Sequence, residues 1–204
     1  MMPSMGKGAF GLFLLGGLWL ALWQSKARFW GLVPAMIGAL LLSQVRAPDL
    51  LISGDGRHIG ITGAVPNELL VLRESRSDYT RDNLTESAGM NGATRLLDTW
   101  SEARCNRDFC AVELERGGRK WQLLFGRGTD YVSDRALAAG CERADIVIAP
   151  RYLPWSCKPR WIKADRRMLD QSGGLTIDLT KGELRSVAGD QGQHGWWKPP
   201  ASRP

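Results

Sequence analysis

At 204 residues the chain has room for one domain of ordinary size plus extra segments. Ample apolar content without a charge extreme excludes a wholly disordered polymer. The net charge of +6 admits acidic partners, nucleic acid or phospholipid headgroups, but by itself selects neither.

The composition is unevenly spread. Residues 8–23 and 29–45 are two uncharged runs of 16 and 17 residues, and nearly all the charge follows them. That length is at the lower limit for spanning about 30 Å of hydrocarbon. Trp19, Trp23, Phe29 and Trp30 cluster where the runs meet, as in an interfacial aromatic belt. A signal peptide with Lys7 as its basic end is the competing reading. No small-residue cleavage site follows the first run and a second apolar run does, which favours two transmembrane helices over residues 1–46. Lys26 and Arg28 put the link in the cytoplasm by a thin margin, since Lys7 and Arg46 pull the other way. Everything after Arg46 then lies outside.

Residues 47–188 form the expected folded domain and residues 189–204, rich in Gly and Pro, a flexible tail. Leu50-Leu51-Ile52, a Ser53-Gly54-Asp55-Gly56 turn and residues 58–62 predict a hairpin. Another strand is expected over 69–72, then a helix over 78–88 closed by Gly89. Residues 111–115 and 121–125 alternate about Gly117-Gly118 as a second hairpin. A helix over 133–141 leads into Ile146-Val147-Ile148-Ala149, a short apolar run expected to be covered on both faces. Arg151 and Tyr152 follow at the carboxyl end of that strand, where open sheets build their sites. Pro159 is expected to start a basic helix ended by Gly173-Gly174, with strands over 175–179 and 184–188 after it. The fold class is therefore mixed α/β, a sandwich.

Four cysteines, an even count, predict two disulfides in an oxidising compartment. Three pairings are open, of which the most local joins Cys105 to Cys110 and Cys141 to Cys157. Zinc is the competing use, since the first pair is near ligand spacing. Cys141 and Cys157 stand alone, which favours disulfides.

Two histidines, His58 and His194, are too few for a histidine-rich metal centre, and no G-x-S-x-G elbow appears. The expected catalytic, metal and cofactor sets are therefore empty. A binding site is the better expectation: Arg151, Tyr152, Trp155, Lys158, Arg160, Trp161, Lys163 and Arg167 interleave cations with aromatics, which suits phosphates and stacked bases of single-stranded DNA. The same residues also fit a solvated helix face (Lys163, Arg166, Arg167) backed by core (Trp161, Met168, Leu169).

Several strings resemble the C-terminal end of the ComEC-type competence proteins, membrane channels for imported DNA that end in a metallo-β-lactamase-like domain. They are PDLLISGDGRHIGI, LLVLRESRSDYTRDNL, ARCNRDFC, ADIVIAPRYLPWSCKPRWIKADR and QGQHGWW, and the alphaproteobacterial version is the nearest. The resemblance implies an αββα sandwich, a bacterial inner-membrane location with the domain in the periplasm, and a role in DNA uptake. It also implies loss of zinc chemistry. The H-x-D-x-D-H segment is absent, and Arg151 and Tyr152 stand where the family carries two histidines. Arginine stays protonated and is no zinc ligand. Family members have many more membrane helices, so the rest of the channel is an expected partner. Two alternatives remain: a nuclease with a rearranged metal site at Asp55, His58 and Asp78, and a structural membrane-anchored module that touches no DNA.

Overall fold

The computed structural model describes residues 7–90, 93–128, 130 and 132–191. The chain divides into two compact units, residues 1–47 and 48–204.

The first unit is a helical hairpin. Helix α1 (Lys7–Leu22) is followed by a 3₁₀ segment (Lys26–Gly31) and helix α2 (Leu32–Ser43). Pro34 sits in the first turn of α2, where its missing N–H has no intrahelical partner to lose. Glycines let the two helices touch through their backbones. A Cβ on Gly16 would lie 2.5 Å from the Ala35 nitrogen, and one on Gly38 would lie 2.8 Å from the Phe13 nitrogen. Small residues at such crossings are the usual means of close helix packing. Gly16→Val is therefore expected to part the helices, read as about tenfold or faster amide exchange over residues 8–22 and 32–43; unchanged exchange would refute the close contact.

Helix α1 is as long as the first apolar run, but α2 is five residues shorter than the second. At 1.5 Å per residue, 16 and 12 residues span about 24 and 18 Å. The difference arises because residues 26–31 wind as a 3₁₀ segment and take Phe29 and Trp30 out of α2. Among the described residues no helix is long and apolar enough to cross a membrane.

The second unit is a mixed α/β fold of two mixed sheets. The first sheet has the order β11-β10-β1-β2-β3-β4: β1 (Leu50–Ile52), β2 (Ile59–Val65), β3 (Glu68–Val71), β4 (Ala93–Leu96), β10 (Leu175–Asp178) and β11 (Glu183–Ser186). The second has the order β5-β6-β7-β8-β9: β5 (Ala103–Cys105), β6 (Phe109–Arg116), β7 (Arg119–Gly126), β8 (Ile146–Ile148) and β9 (Ile162–Ala164). Pairs β3–β4, β7–β8 and β8–β9 are parallel and the rest antiparallel.

Strand periodicity explains the layers. Leu50 and Ile52 of β1 and Ile146 and Ile148 of β8 join one core that also holds Val112, Leu123, Phe125 and Ile177. Leu51 turns the other way, toward Leu84 and Ala88 of the segment around α3 (Asp78–Ser87). Val147 turns away likewise, toward Leu137 and Cys141 of α4 (Asp134–Arg143). Each short apolar run is thus covered on both faces, as expected of Ile146–Ile148.

Several elements depart from expectation. Residues 159–161 form no helix. Ile162–Ala164 is instead the edge strand β9, with Ile162 opposite Ile146 and Ala164 opposite Ile148. Helix α5 (Arg166–Ser172) starts only after Asp165, whose carboxylate accepts the Met168 N–H at 3.1 Å, an N-cap that proline spacing does not reveal. Lys163 therefore belongs to a strand, and Trp161 is not helix core. Strands β4 and β5 were not anticipated, because their sequences are short and polar. The last strand ends at Ser186, and Val187–Gln191 is helix α6. The tail beyond Gln191, with His194, lies outside the described residues.

Both disulfides form with the most local pairing. Cys105 and Cys110 face each other across β5 and β6, with Cα atoms 4.0 Å apart. Cys141–Cys157, at 5.2 Å, ties α4 to the loop after β8.

Candidate functional site

The carboxyl ends of β1, β3, β7 and β8 meet at one end of the two sheets. Gly56, in the turn after β1, has φ +67°, and a Cβ there would lie 3.2 Å from the Ala149 carbonyl oxygen and 2.7 Å from Leu169 Cδ1. The turn is thus pressed against the end of β8, which only glycine permits. At the other pair of strand ends, Arg73 after β3 donates from Nη2 to the Arg127 carbonyl after β7.

The turn organises its own polar groups. The Ser53 hydroxyl donates to Asp55 Oδ1, which also accepts the Arg57 N–H at 2.9 Å, and the His58 N–H donates to Ser53 Oγ at 3.0 Å. Burial, the largest single influence, works to raise the Asp55 carboxyl. The hydrogen bonds from Ser53 and Arg57 and the charges of His58 and Arg57 together outweigh it, so the carboxyl titrates below the ordinary aspartate range. Arg73 is lowered by burial and by repulsion from Arg57 and Arg127. Arg151, after β8, donates to the Asp130 carbonyl and lies 5.3 Å from the Phe109 ring centroid.

The stretch expected to form one site divides between the two ends of β8. At the carboxyl end, Trp155 is 81 % exposed, with the Arg167 guanidinium carbon 5.8 Å from its ring centroid. Tyr152 is also exposed and donates to Asp170 Oδ2 at 3.4 Å. Lys163 Nζ donates to the Pro154 carbonyl at 3.0 Å, holding the loop. A shallow cavity here is lined by Leu153, Trp155, Lys163, Asp165, Arg167 and Gln171, among others. Lys158 is exposed beside the Cys157 bridge to the last turn of α4, where the loop is already returning toward the start of β8.

Arg160 and Trp161 are at the opposite end, because the loop crosses back before β9 begins. The Arg160 N–H donates to the Ala144 carbonyl at 3.0 Å and the Trp161 N–H to that of Asp145 at 2.9 Å. From Asp145 to Arg151 along an extended chain is about 20 Å. Trp161 packs on Trp121 with ring centroids 5.1 Å apart, and Arg119 lies over Trp121 at 4.0 Å. Arg119 and Arg160 both reach the buried Asp145 carboxylate, at 3.1 and 3.8 Å. Arg160 and Trp161 are therefore placed in this cluster and apart from the rest of the expected DNA-binding set.

Of the candidate metal ligands, Asp55 and His58 share the turn after β1, but Asp78 is not placed with them. Asp78 begins α3 with its side chain 82 % exposed, paired to Arg81 at 2.9 Å. Among the described residues no three His, Cys, Asp or Glu are placed to hold a metal ion. What converges at the strand ends is arginine: Arg57, Arg73, Arg127 and Arg151. Arg57, Arg73 and Arg127 lie outside the basic, aromatic stretch, although each follows the end of an apolar strand, a signal visible once the strands are aligned.

No protein-family model matches the chain, and neither a curated protein nor a solved structure matches it with significance.

Proposed function

We propose that this chain is the C-terminal portion of a ComEC-type DNA-uptake protein. Its domain is a degenerate metallo-β-lactamase-like αββα sandwich that contacts single-stranded DNA, without zinc chemistry, on the periplasmic side of a bacterial inner membrane. The quoted sequence strings support the family. Two sheets facing one core, with helices on their outer faces, agree with the sandwich. Two disulfides agree with an oxidising compartment. The hairpin agrees with a membrane anchor that works beside the rest of a channel: its helices bear large apolar side chains on their outer surface, such as Leu15, Leu22 and Met36.

The observation that carries the DNA reading is the exposed Trp155 indole beside Arg167, on a loop that also presents Arg151, Tyr152 and Lys158. A free aromatic face takes any base, and adjacent cations follow the phosphates, so affinity without sequence preference is the expected property. The test is fluorescence anisotropy of the full chain in detergent with a labelled single strand. Trp155→Ala is expected to weaken binding by about tenfold, one stacked base being worth about 1–3 kcal/mol. Arg167→Gln is expected to lower the salt slope by about 0.7, the value for one phosphate contact on a single strand. Arg160→Gln, at the other end of β8, is expected to change neither. Absent binding, or binding indifferent to Trp155, would favour the structural module that touches no DNA.

A further inference from the structure

The loop site leaves the arginine-rich end between the two sheets unexplained. Arg57 follows β1, Arg73 follows β3, Arg127 follows β7 and Arg151 follows β8, so four strands from both sheets deliver a guanidinium to one end of the fold. Their compensation is thin. Among the described residues, only Arg127 of the four has a carboxylate within ion-pair distance, Asp98 at 3.2 Å. Arg151 is held by a carbonyl, and Asp55 is the carboxylate whose charge offsets Arg73, against repulsion from both Arg57 and Arg127.

Hydrogen bonding is incomplete at the same place. Arg73 Nε and His58 Nδ1 are buried without a partner. A buried donor normally finds an acceptor, and an orphaned one on a charged group is costly to keep. Hydrophobic replacement of Arg73 would remove that cost, so an arginine here calls for an acceptor supplied from outside. The acceptor that suits several convergent guanidiniums is a tetrahedral oxyanion, because each guanidinium can give two parallel N–H bonds to a pair of phosphate oxygens.

We infer that the end of the sheets where Arg57, Arg73 and Arg127 come together binds a phosphoryl group. The inference stands independently of the DNA reading, because the phosphoryl group has two sources: a phosphate of a nucleic-acid strand, or free inorganic phosphate and pyrophosphate. No covalent step is involved. The site holds the anion by charge and hydrogen bonds, and Asp55 keeps the turn that carries Arg57 in place through its bond to the Arg57 N–H.

The test is titration of the full chain in detergent with inorganic pyrophosphate, followed by phosphorus NMR and by calorimetry. Saturable binding is expected, with at least a tenfold loss in both Arg73→Gln and Arg57→Gln and no change in Arg160→Gln. Arg57 is exposed, so its variant keeps the test valid if Arg73→Gln does not fold. A second arm adds labelled single-stranded DNA. Displacement of the strand by pyrophosphate assigns the site to nucleic-acid phosphate. Simultaneous binding of both assigns it to free phosphate, and either result supports the phosphoryl site. DNA binding that fails while pyrophosphate still binds would overturn the loop reading alone. No saturable pyrophosphate binding, or binding unaffected by Arg57→Gln, would overturn the phosphoryl site whatever the loop does.

Discussion

Replacing Cys141 and Cys157 together by serine is expected to destabilise the residue 48–204 unit by about 3 kcal/mol. The bridge closes a loop over a sequence separation of 16, and the cost of releasing that loop into the unfolded ensemble grows with its length. Cys105–Cys110, with a separation of 5, closes a much shorter loop and is worth about 2 kcal/mol on the same relation. For a unit of this size 3 kcal/mol lowers the melting temperature by about 10 °C. The native state contributes as well. Cys157 is buried with Leu137, Val147 and Leu153, so the bridge ends inside the small core between α4 and the second sheet. Trp155 lies two residues before that anchor, and loosening the loop is expected to weaken single-strand binding along with stability. Thermal unfolding of the double variant beside the parent chain checks the first effect, and anisotropy below the transition checks the second. A melting temperature unchanged by the double substitution would show that the bridge does not constrain the unfolded chain.

Asp145→Ala is expected to cost about 2–4 kcal/mol, through strand alignment and not through charge alone. The carboxylate is 2 % exposed and its Oδ2 accepts the backbone N–H of Gln122 in β7 at 2.8 Å. The Asp145 backbone donates to the Gln122 carbonyl at 2.7 Å and accepts from Trp161 and Ile162. One residue thereby ties β7 to the starts of β8 and β9. Removing the side chain orphans the Gln122 N–H, which accounts for about 1–3 kcal/mol. Arg119 and Arg160 are each 58 % exposed, so their ion pairs add about 0–1 kcal/mol apiece after screening. Asp145→Asn keeps an acceptor for Gln122 and is expected to cost about half as much. A lower denaturant midpoint with an unchanged slope is the expected signature. Single-strand affinity of the folded variant should match the parent, because Asp145 lies at the opposite end of β8 from Trp155. A loss of DNA binding in excess of the loss of folded protein would join the two ends after all.

The residue order alone determined the local architecture where period and turn chemistry agree. Residues 109–116 and 119–126 alternate and are joined by Gly117-Gly118, both at positive φ, so the hairpin is readable without its partners. The run around Ile146–Ile148 is apolar on both faces because both faces are covered, and an even cysteine count was enough to expect two bridges. These signals act over a few residues.

Tertiary structure decided what those signals do not reach. Ile162–Ala164 is too short to announce a strand. It becomes one because Ile162 and Ala164 fall opposite Ile146 and Ile148, and Asp165 then starts the helix that proline spacing placed earlier. The basic, aromatic stretch looked like one site because its residues are neighbours in sequence. The return of the chain from the end of β8 to the start of β9 sends Arg160 and Trp161 to the far end. Conversely, Arg73 and Arg127 lie 54 residues apart and meet only because β3 and β7 belong to facing sheets. Side-chain alternation is local and survives in any single strand, whereas the end of the sheet at which a charge emerges depends on strand direction and pairing across the whole fold.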